Sequence, residues 1–111
     1  MGRVAGTYPI RYTAVVAEIR QTDVYAQWFD SLRDRVARVR IDARIRRLSL
    51  GNPGDVKPVG DGVSEMRIDY GPGYRVYFVS RGETLVILLA GGDKRSQDRD
   101  IAIALDLARG L

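Results

Sequence analysis

Apolar residues recur at every third or fourth position in two segments of the N-terminal half, which predicts two amphipathic helices. The first spans about 23–33, after a capping threonine at position 22, and its predicted apolar face consists of Val24, Tyr25, Trp28, Phe29 and Leu32. The charged residues at 33–35 predict a break. The second helix runs to about Leu48, and its apolar stripe consists of Ala37, Ile41, Ile45 and Leu48. The two helices are expected to form a hairpin.

Shorter apolar or alternating runs predict four strands. They lie at 14–20, at 64–70 and 74–79 on either side of a Gly-Pro-Gly turn, and at 84–90, where "TLVILLA" is typical of an interior strand covered on both faces. Residues 51–62 contain four glycines and two prolines, which predicts a long loop. Ser96 is expected to cap a last helix with Asp98 and Asp100 in its first turn, an inward face of Ile101, Ala104, Leu105 and Ala108, and an end at Gly110.

The predicted order is β-α-α-β-β-β-α. This indicates an α+β fold, in which a two-helix hairpin and a C-terminal helix pack on a small, mainly antiparallel sheet. Residues 13–111 are expected to form a single domain, and residues 1–12, which have no hydrophobic period, a flexible N-terminal extension.

The composition excludes several kinds of chemistry. The 111 residues include no cysteine and no histidine, so disulfides, Ser-His and Cys-His nucleophiles and histidine or thiolate metal sites are excluded. The scattered aspartates do not suggest a metal site, and no cofactor is expected. Because no apolar run approaches the ~20 residues of a membrane span and no secretory signal is evident, the expected location is the cytoplasm.

The net charge of +4 and a pI of about 9.8 favour an anionic partner. Arginine accounts for 16 of the 18 basic residues, and residues 33–47 alone carry +5. One interpretation is a solvated helical face. The alternatives are an RNA-binding track that includes Arg40, Arg44 and Arg47, or a surface covered by an acidic partner.

Charged residues also interrupt the two strands around the Gly-Pro-Gly turn. Because side chains alternate along a strand, Glu65 and Arg67 are expected to share one face with Arg75 and Tyr77 of the next strand. Lys57 precedes this hairpin, and Lys94 and Arg95 follow the last strand. These cations are predicted to converge on a phosphate, although a face of ordinary surface ion pairs is the alternative interpretation.

The segments "LGNPGDVKPVGDGVSEMRIDYGPGYRVYF" and "LLAGGDKRSQDRDIAIAL" closely resemble the HigB-like addiction module killer proteins, a branch of the RelE/ParE toxin superfamily. The resemblance covers residues 18–109. It implies a cytoplasmic toxin that is inactivated by a helix-turn-helix antitoxin in a hetero-oligomer. It also implies cleavage of mRNA, usually on the ribosome, by attack of a ribose 2′-hydroxyl on the adjacent phosphate, without a metal.

Carried over by position, the resemblance implies catalytic roles for Lys57, Arg67, Arg75 and Lys94. The last helix lacks the tyrosine of RelE itself, so Lys57, Glu65 and Tyr77 remain as candidates for the general base. Two other functions remain open: a ParE-type poison of DNA gyrase that performs no chemistry, and a nontoxic module that only binds an antitoxin.

Overall fold

A computed structural model describes residues 16–111 of the protein. In chain order the elements are β1 (Glu18–Gln21), α1 (Asp23–Ser31), α2 (Arg35–Ser49), β2 (Val56–Gly60), β3 (Val63–Ile68), β4 (Tyr74–Arg81), β5 (Leu85–Gly92), a 3₁₀ turn (Lys94–Ser96) and α3 (Gln97–Arg109). The predicted α+β fold is confirmed. The predicted extension at 1–12 and positions 14 and 15 of the predicted first strand lie outside the described residues.

The five strands form one sheet in the order β1-β5-β4-β3-β2. Strand β1 runs parallel to β5, and every other neighbouring pair is antiparallel. β5 therefore has a neighbour on each side, as its continuous apolar run predicted. Among residues 16–111 no helix has the length and apolar character that crossing a membrane would require.

Helices α1 and α2 cover one face of the sheet. All four residues of the predicted α2 stripe are buried. Three of them, Ile41, Ile45 and Leu48, pack in one cluster with Tyr25 of α1 and with Met66 and Val76 of the central strands. Trp28, Phe29 and Leu32 pack against this cluster while remaining partly exposed. The assignment of Val24 to the apolar face of α1 was wrong, because its side chain is 40% exposed.

Helix α3 covers the opposite face of the sheet. Its Ala104 and Ala108 are buried against Tyr77, Val79 and Leu89, and Ile101 and Leu105 pack at the margin, as predicted. The sheet therefore separates two apolar layers. The position of this helix over the face that carries Glu65 and Tyr77 was not predicted from the sequence.

The prediction of an unstructured loop at 51–62 was wrong in its central part, because residues Val56–Gly60 form β2. Within the described part of the chain, β2 pairs only with β3, and its pairing is irregular between Pro58 and Gly60. Proline removes a backbone donor and is therefore largely confined to edge strands and bulges. The glycines and prolines thus excluded a central strand but not an edge strand.

The junction between β5 and α3 depends on two adjacent glycines. A Cβ at Gly91 would lie 2.1 Å from the Trp28 ring on one face, and a Cβ at Gly92 would lie 1.7 Å from the Asp100 carboxylate on the other. Two helices can therefore approach opposite faces of one strand at the same point.

Ser96 precedes α3, as expected of a cap, but its hydroxyl donates to Asp100 and accepts from the backbone N–H of Asp93 instead of from a backbone N–H of α3. Helix α3 ends at Arg109 and is followed by Gly110, as predicted.

Candidate functional site

A surface cleft of about 420 Å³ lies beside the Gly-Pro-Gly turn. It brings together Arg67 from β3, Arg75 from β4 and Lys94 from the 3₁₀ turn, three of the cations that the sequence predicted to converge. Its remaining lining consists of Asp55, Ile68, Asp69, Gly71, Pro72 and Gly73. The formal side-chain charge of the lining is therefore +3 from the basic residues against −2 from the two aspartates.

Arg67 and Arg75 are direct cross-strand partners in the β3–β4 register. Like charges placed opposite each other destabilise an antiparallel pair, so this arrangement carries an electrostatic cost. The Nε–H groups of both side chains are buried and have no hydrogen-bond partner among the described residues. A buried donor without a partner also costs free energy. An anion bound in the cleft would reduce the repulsion between the two guanidinium groups. It would also be an acceptor of the kind that the two arginines lack.

The other contacts of the three cations are few. Nη2 of Arg67 lies 3.2 Å from Oδ1 of Asp55, both side chains being well exposed. Within residues 16–111, Arg75 and Lys94 form no ion pair. The cleft therefore keeps at least two positive charges that no carboxylate neutralises by direct contact.

Glu65 and Tyr77, which the sequence placed with the catalytic candidates, are fully buried beneath α3. The Tyr77 hydroxyl donates to Oε2 of Glu65 over 2.9 Å, and Nε2 of Gln97 donates to the same oxygen over 2.7 Å. Burial, with the hydrogen bond to Glu65, raises the pKa of Tyr77 well above its usual range. In this conformation neither side chain reaches the cleft, and the Tyr77 hydroxyl stays protonated at neutral pH.

Lys57 is exposed on the edge strand β2 and lies opposite Glu65 in the register. It is not part of the cleft lining, but it comes two positions after Asp55, which does line the cleft. Arg95 lines a second, wider cleft of about 710 Å³ around the start of α3, and Lys94 belongs to both clefts. Arg95 is 88% exposed, and its long contact with Asp93, 3.7 Å, holds it only weakly.

The three arginines predicted as an RNA track on α2 have different environments. Arg47 is exposed, and the guanidinium of Arg40 lies 4.9 Å from the centre of the Tyr70 ring. Arg44 instead donates to three backbone carbonyls near the cleft, and burial lowers its pKa from the usual value. All three line a shallow pocket of about 260 Å³ on the α2 side of the sheet.

Sequence reasoning missed several polar residues that support the cleft. Gln97 holds Glu65, and Tyr70 at the Gly-Pro-Gly turn donates to Oδ2 of Asp34, which caps α2. The capping role of Asp34 was detectable from its position before a helix, but its side-chain link to Tyr70 joins residues 36 positions apart and has no local signal. The described residues contain no group of three or more acidic side chains placed to share a metal ion.

Most of the chain matches one known protein family. Residues 27–109, about three quarters of the chain, match the family described as "Phage derived protein Gp49-like (DUF891)". The chain belongs to the Gp49-like family. This is a family of toxins of toxin–antitoxin systems, of the RelE/HigB type.

A second comparison gives a relative of nearly the same length. The chain is 49% identical, over 94 residues, to an uncharacterized protein of Haemophilus influenzae (strain ATCC 51907 / DSM 11121 / KW20 / Rd). The match covers 85% of this chain and 95% of the relative. Membership of the Gp49-like family confirms the part of the resemblance that concerns a toxin family of the RelE/HigB type. It also indicates an antitoxin as a partner.

Proposed function

We propose that this Gp49-like toxin is an mRNA endoribonuclease that cleaves its substrate on the ribosome and is inactivated by a helix-turn-helix antitoxin. The observation that carries the proposal is the register-paired Arg67 and Arg75, with Lys94, around one cleft. A guanidinium binds phosphate oxygens through two parallel hydrogen bonds, and its charge does not depend on pH in the physiological range. The cleft thus has the chemistry of a phosphodiester site.

The proposed reaction needs no group that the chain lacks. The ribose 2′-oxygen forms a bond to the adjacent phosphorus and passes its proton to the base, while the bond from phosphorus to the 5′-oxygen breaks and that oxygen takes up a proton from water. The products are a 2′,3′-cyclic phosphate and a 5′-hydroxyl. Negative charge builds on the phosphate oxygens in the transition state, where fixed cations contribute most. We assign this role to Arg67, Arg75 and Lys94.

We assign the residues that could transfer protons from the exposure of their side chains. Lys57 is the candidate base that solvent and substrate can reach, because its side chain is exposed on the edge strand. Glu65 and Tyr77 are assigned a supporting role beneath α3, since their burial separates them from the cleft. Arg95, Arg40 and Arg47 are proposed to contact flanking RNA, because their exposed guanidinium groups lie outside the cleft.

Inducing the toxin without its antitoxin and mapping the 5′ ends of cellular mRNA tests this function. We expect new ends within codons, and their near disappearance in Arg67→Ala and Arg75→Ala, because removing one such group typically lowers the rate ~10²–10³-fold. Arg81→Ala is the matched control: Arg81 is an exposed arginine at the far end of β4, away from the cleft. A supercoiling assay with gyrase runs in parallel. Intact transcripts with lost supercoiling would establish a gyrase poison, and no effect in either assay would indicate a nontoxic antitoxin-binding module.

A further inference from the structure

We infer that Arg44 of α2 is a positioning residue, which fixes Arg67 and Asp55 in the cleft through their backbone carbonyls. The inference deepens the proposed function and rests on it. Arg44 lies on the opposite side of the sheet from α3, and it would act through other residues without contacting the scissile phosphate.

The contacts of Arg44 are specific to the cleft walls. Its Nη1 donates to the carbonyl oxygen of Arg67 over 2.6 Å. Its Nη2 lies 3.2 Å from the carbonyl oxygen of Pro53 and 3.4 Å from that of Asp55. One side chain therefore joins the helix to β3 and to the segment that leads into β2.

These contacts lie where the β2–β3 ladder ends. The last register pair at this end is Val56 with Met66, and beyond it the backbone N–H of Arg67 donates to the carbonyl of Asp55 over 3.0 Å. The guanidinium of Arg44 then binds the carbonyls of both residues. The carboxylate of Asp55 in turn contacts the guanidinium of Arg67, so the position of both side chains depends on this backbone junction.

Only arginine has the required shape. Its planar guanidinium presents donors in a fixed fork, so two nitrogens can bind carbonyls that belong to different segments. Lysine keeps the charge but offers one nitrogen at the end of a flexible chain. A lysine at this position can still attract a phosphate, but it cannot bridge the three carbonyls in the same way.

Gly54 leaves the space that this fork occupies. Its φ is +70°, and a Cβ built there would lie 3.0 Å from Nη2 of Arg44 and 3.3 Å from Cζ. The substitution Gly54→Ala would therefore press on the guanidinium without removing it, and the guanidinium would have to shift by a few tenths of an ångström. Gly51 has a similar positive φ of +90°, but a Cβ there would meet no atom within 4 Å. Gly51→Ala is therefore a control for backbone strain alone.

The test compares Arg44→Lys with Arg46→Lys, an exposed arginine of the same helix, in single-turnover cleavage of mRNA on purified translating ribosomes. Misplacement of a reacting or aimed group by ~1 Å can cost about 100-fold in rate. We expect Arg44→Lys to lose at least about tenfold in cleavage rate, Gly54→Ala to lose less than Arg44→Lys but more than Gly51→Ala, and Arg46→Lys and Gly51→Ala to stay within about threefold. In an Arg67→Ala background, Arg44→Lys should cause little further loss, because residues that act through each other are not additive.

Amide hydrogen exchange provides a readout that does not need RNA. The N–H of Arg67 should exchange faster in Arg44→Lys than in wild type, and at the wild-type rate in Arg46→Lys. The inference is overturned if the N–H of Arg67 exchanges at the same rate in Arg44→Lys as in wild type. It is also overturned if Arg44→Lys cleaves within threefold of the wild-type rate, or if Arg44→Lys lowers the rate by the same factor with and without Arg67. A wild-type protein that leaves mRNA intact refutes the proposed function, and the exchange result then decides separately whether Arg44 holds the two cleft walls.

Discussion

The close approach of α1 to β5 predicts that Gly91→Ala destabilises the fold. The new Cβ would lie 2.1, 2.3 and 2.5 Å from three atoms of the Trp28 ring. Carbon atoms in contact are normally about 3.5–4.0 Å apart, so the ring would have to move by roughly 1.5 Å. Tyr25 and Tyr74, whose ring centres lie 5.6 and 6.4 Å from that of Trp28, restrict this movement. Overpacking of this kind typically costs ~1–3 kcal/mol.

Thermal and urea unfolding measure this cost. At about 4 °C per kcal/mol, the melting temperature should fall by roughly 4–12 °C. Gly110→Ala is the control, because its new Cβ would meet its nearest neighbour, the carbonyl oxygen of Leu107, at an ordinary 3.6 Å. If the Trp28 ring is the cause, Gly91→Ala should cost less in a Trp28→Leu background than in wild type. A Gly91→Ala variant as stable as wild type, or fully additive effects, would refute the packing argument.

Three further predictions concern single side chains. Tyr77→Phe removes one of two hydrogen-bond donors to the buried Glu65 and should lower the free energy of unfolding in urea by ~1–3 kcal/mol. The proposed mRNA cleavage should stay within about threefold of wild type. A large loss of cleavage in a stable variant would show a catalytic role for Tyr77. Phe29→Ala should cost less than the ~3–5 kcal/mol typical of a fully buried phenylalanine, because Phe29 is only partly buried, and an unchanged melting temperature would contradict its packing role. The hydrogen bond from Tyr70 lowers the pKa of Asp34. The stability that this hydrogen bond supplies is therefore present above the pKa of Asp34 in the unfolded chain, and it is lost as the pH falls through the lower pKa of Asp34 in the folded protein. Tyr70→Phe should raise the Asp34 pKa in an NMR titration and make the protein less sensitive to acid.

Much of the fold was predictable because its signals are local. The 3.6-residue period of α2 identified all four of its buried residues, and the continuous apolar run of β5 identified an interior strand. The edge strand β2 was missed because its glycines and prolines mask a pairing that depends on β3, a partner outside the segment itself. The exposed Val24 was misassigned because helical spacing does not show where the packed stripe of a helix ends.

The candidate site was predictable to the extent that strand alternation determines it. Alternation placed Arg67 and Arg75 on one face, and the register makes them direct partners. The burial of Glu65 and Tyr77 depends on where α3 crosses the sheet, which no local pattern in β3 or β4 encodes. The contacts of Arg44 could not be predicted for the same reason, since they link a helix to carbonyls at least nine residues away, and backbone acceptors carry no sequence signature.

The length of the Gly-Pro-Gly turn links the proposed activity to the fold. A slip of one residue between β3 and β4 would turn every side chain of one strand to the other side of the sheet, so Arg67 or Arg75 would point into the apolar layer under α1 and α2 while Met66 or Val76 entered the cleft region. Insertions or deletions in this turn therefore cannot lower the proposed activity gradually. Mutants that escape toxicity by such changes should also lose the folded protein, whereas those that retain it should carry point substitutions at the arginines themselves.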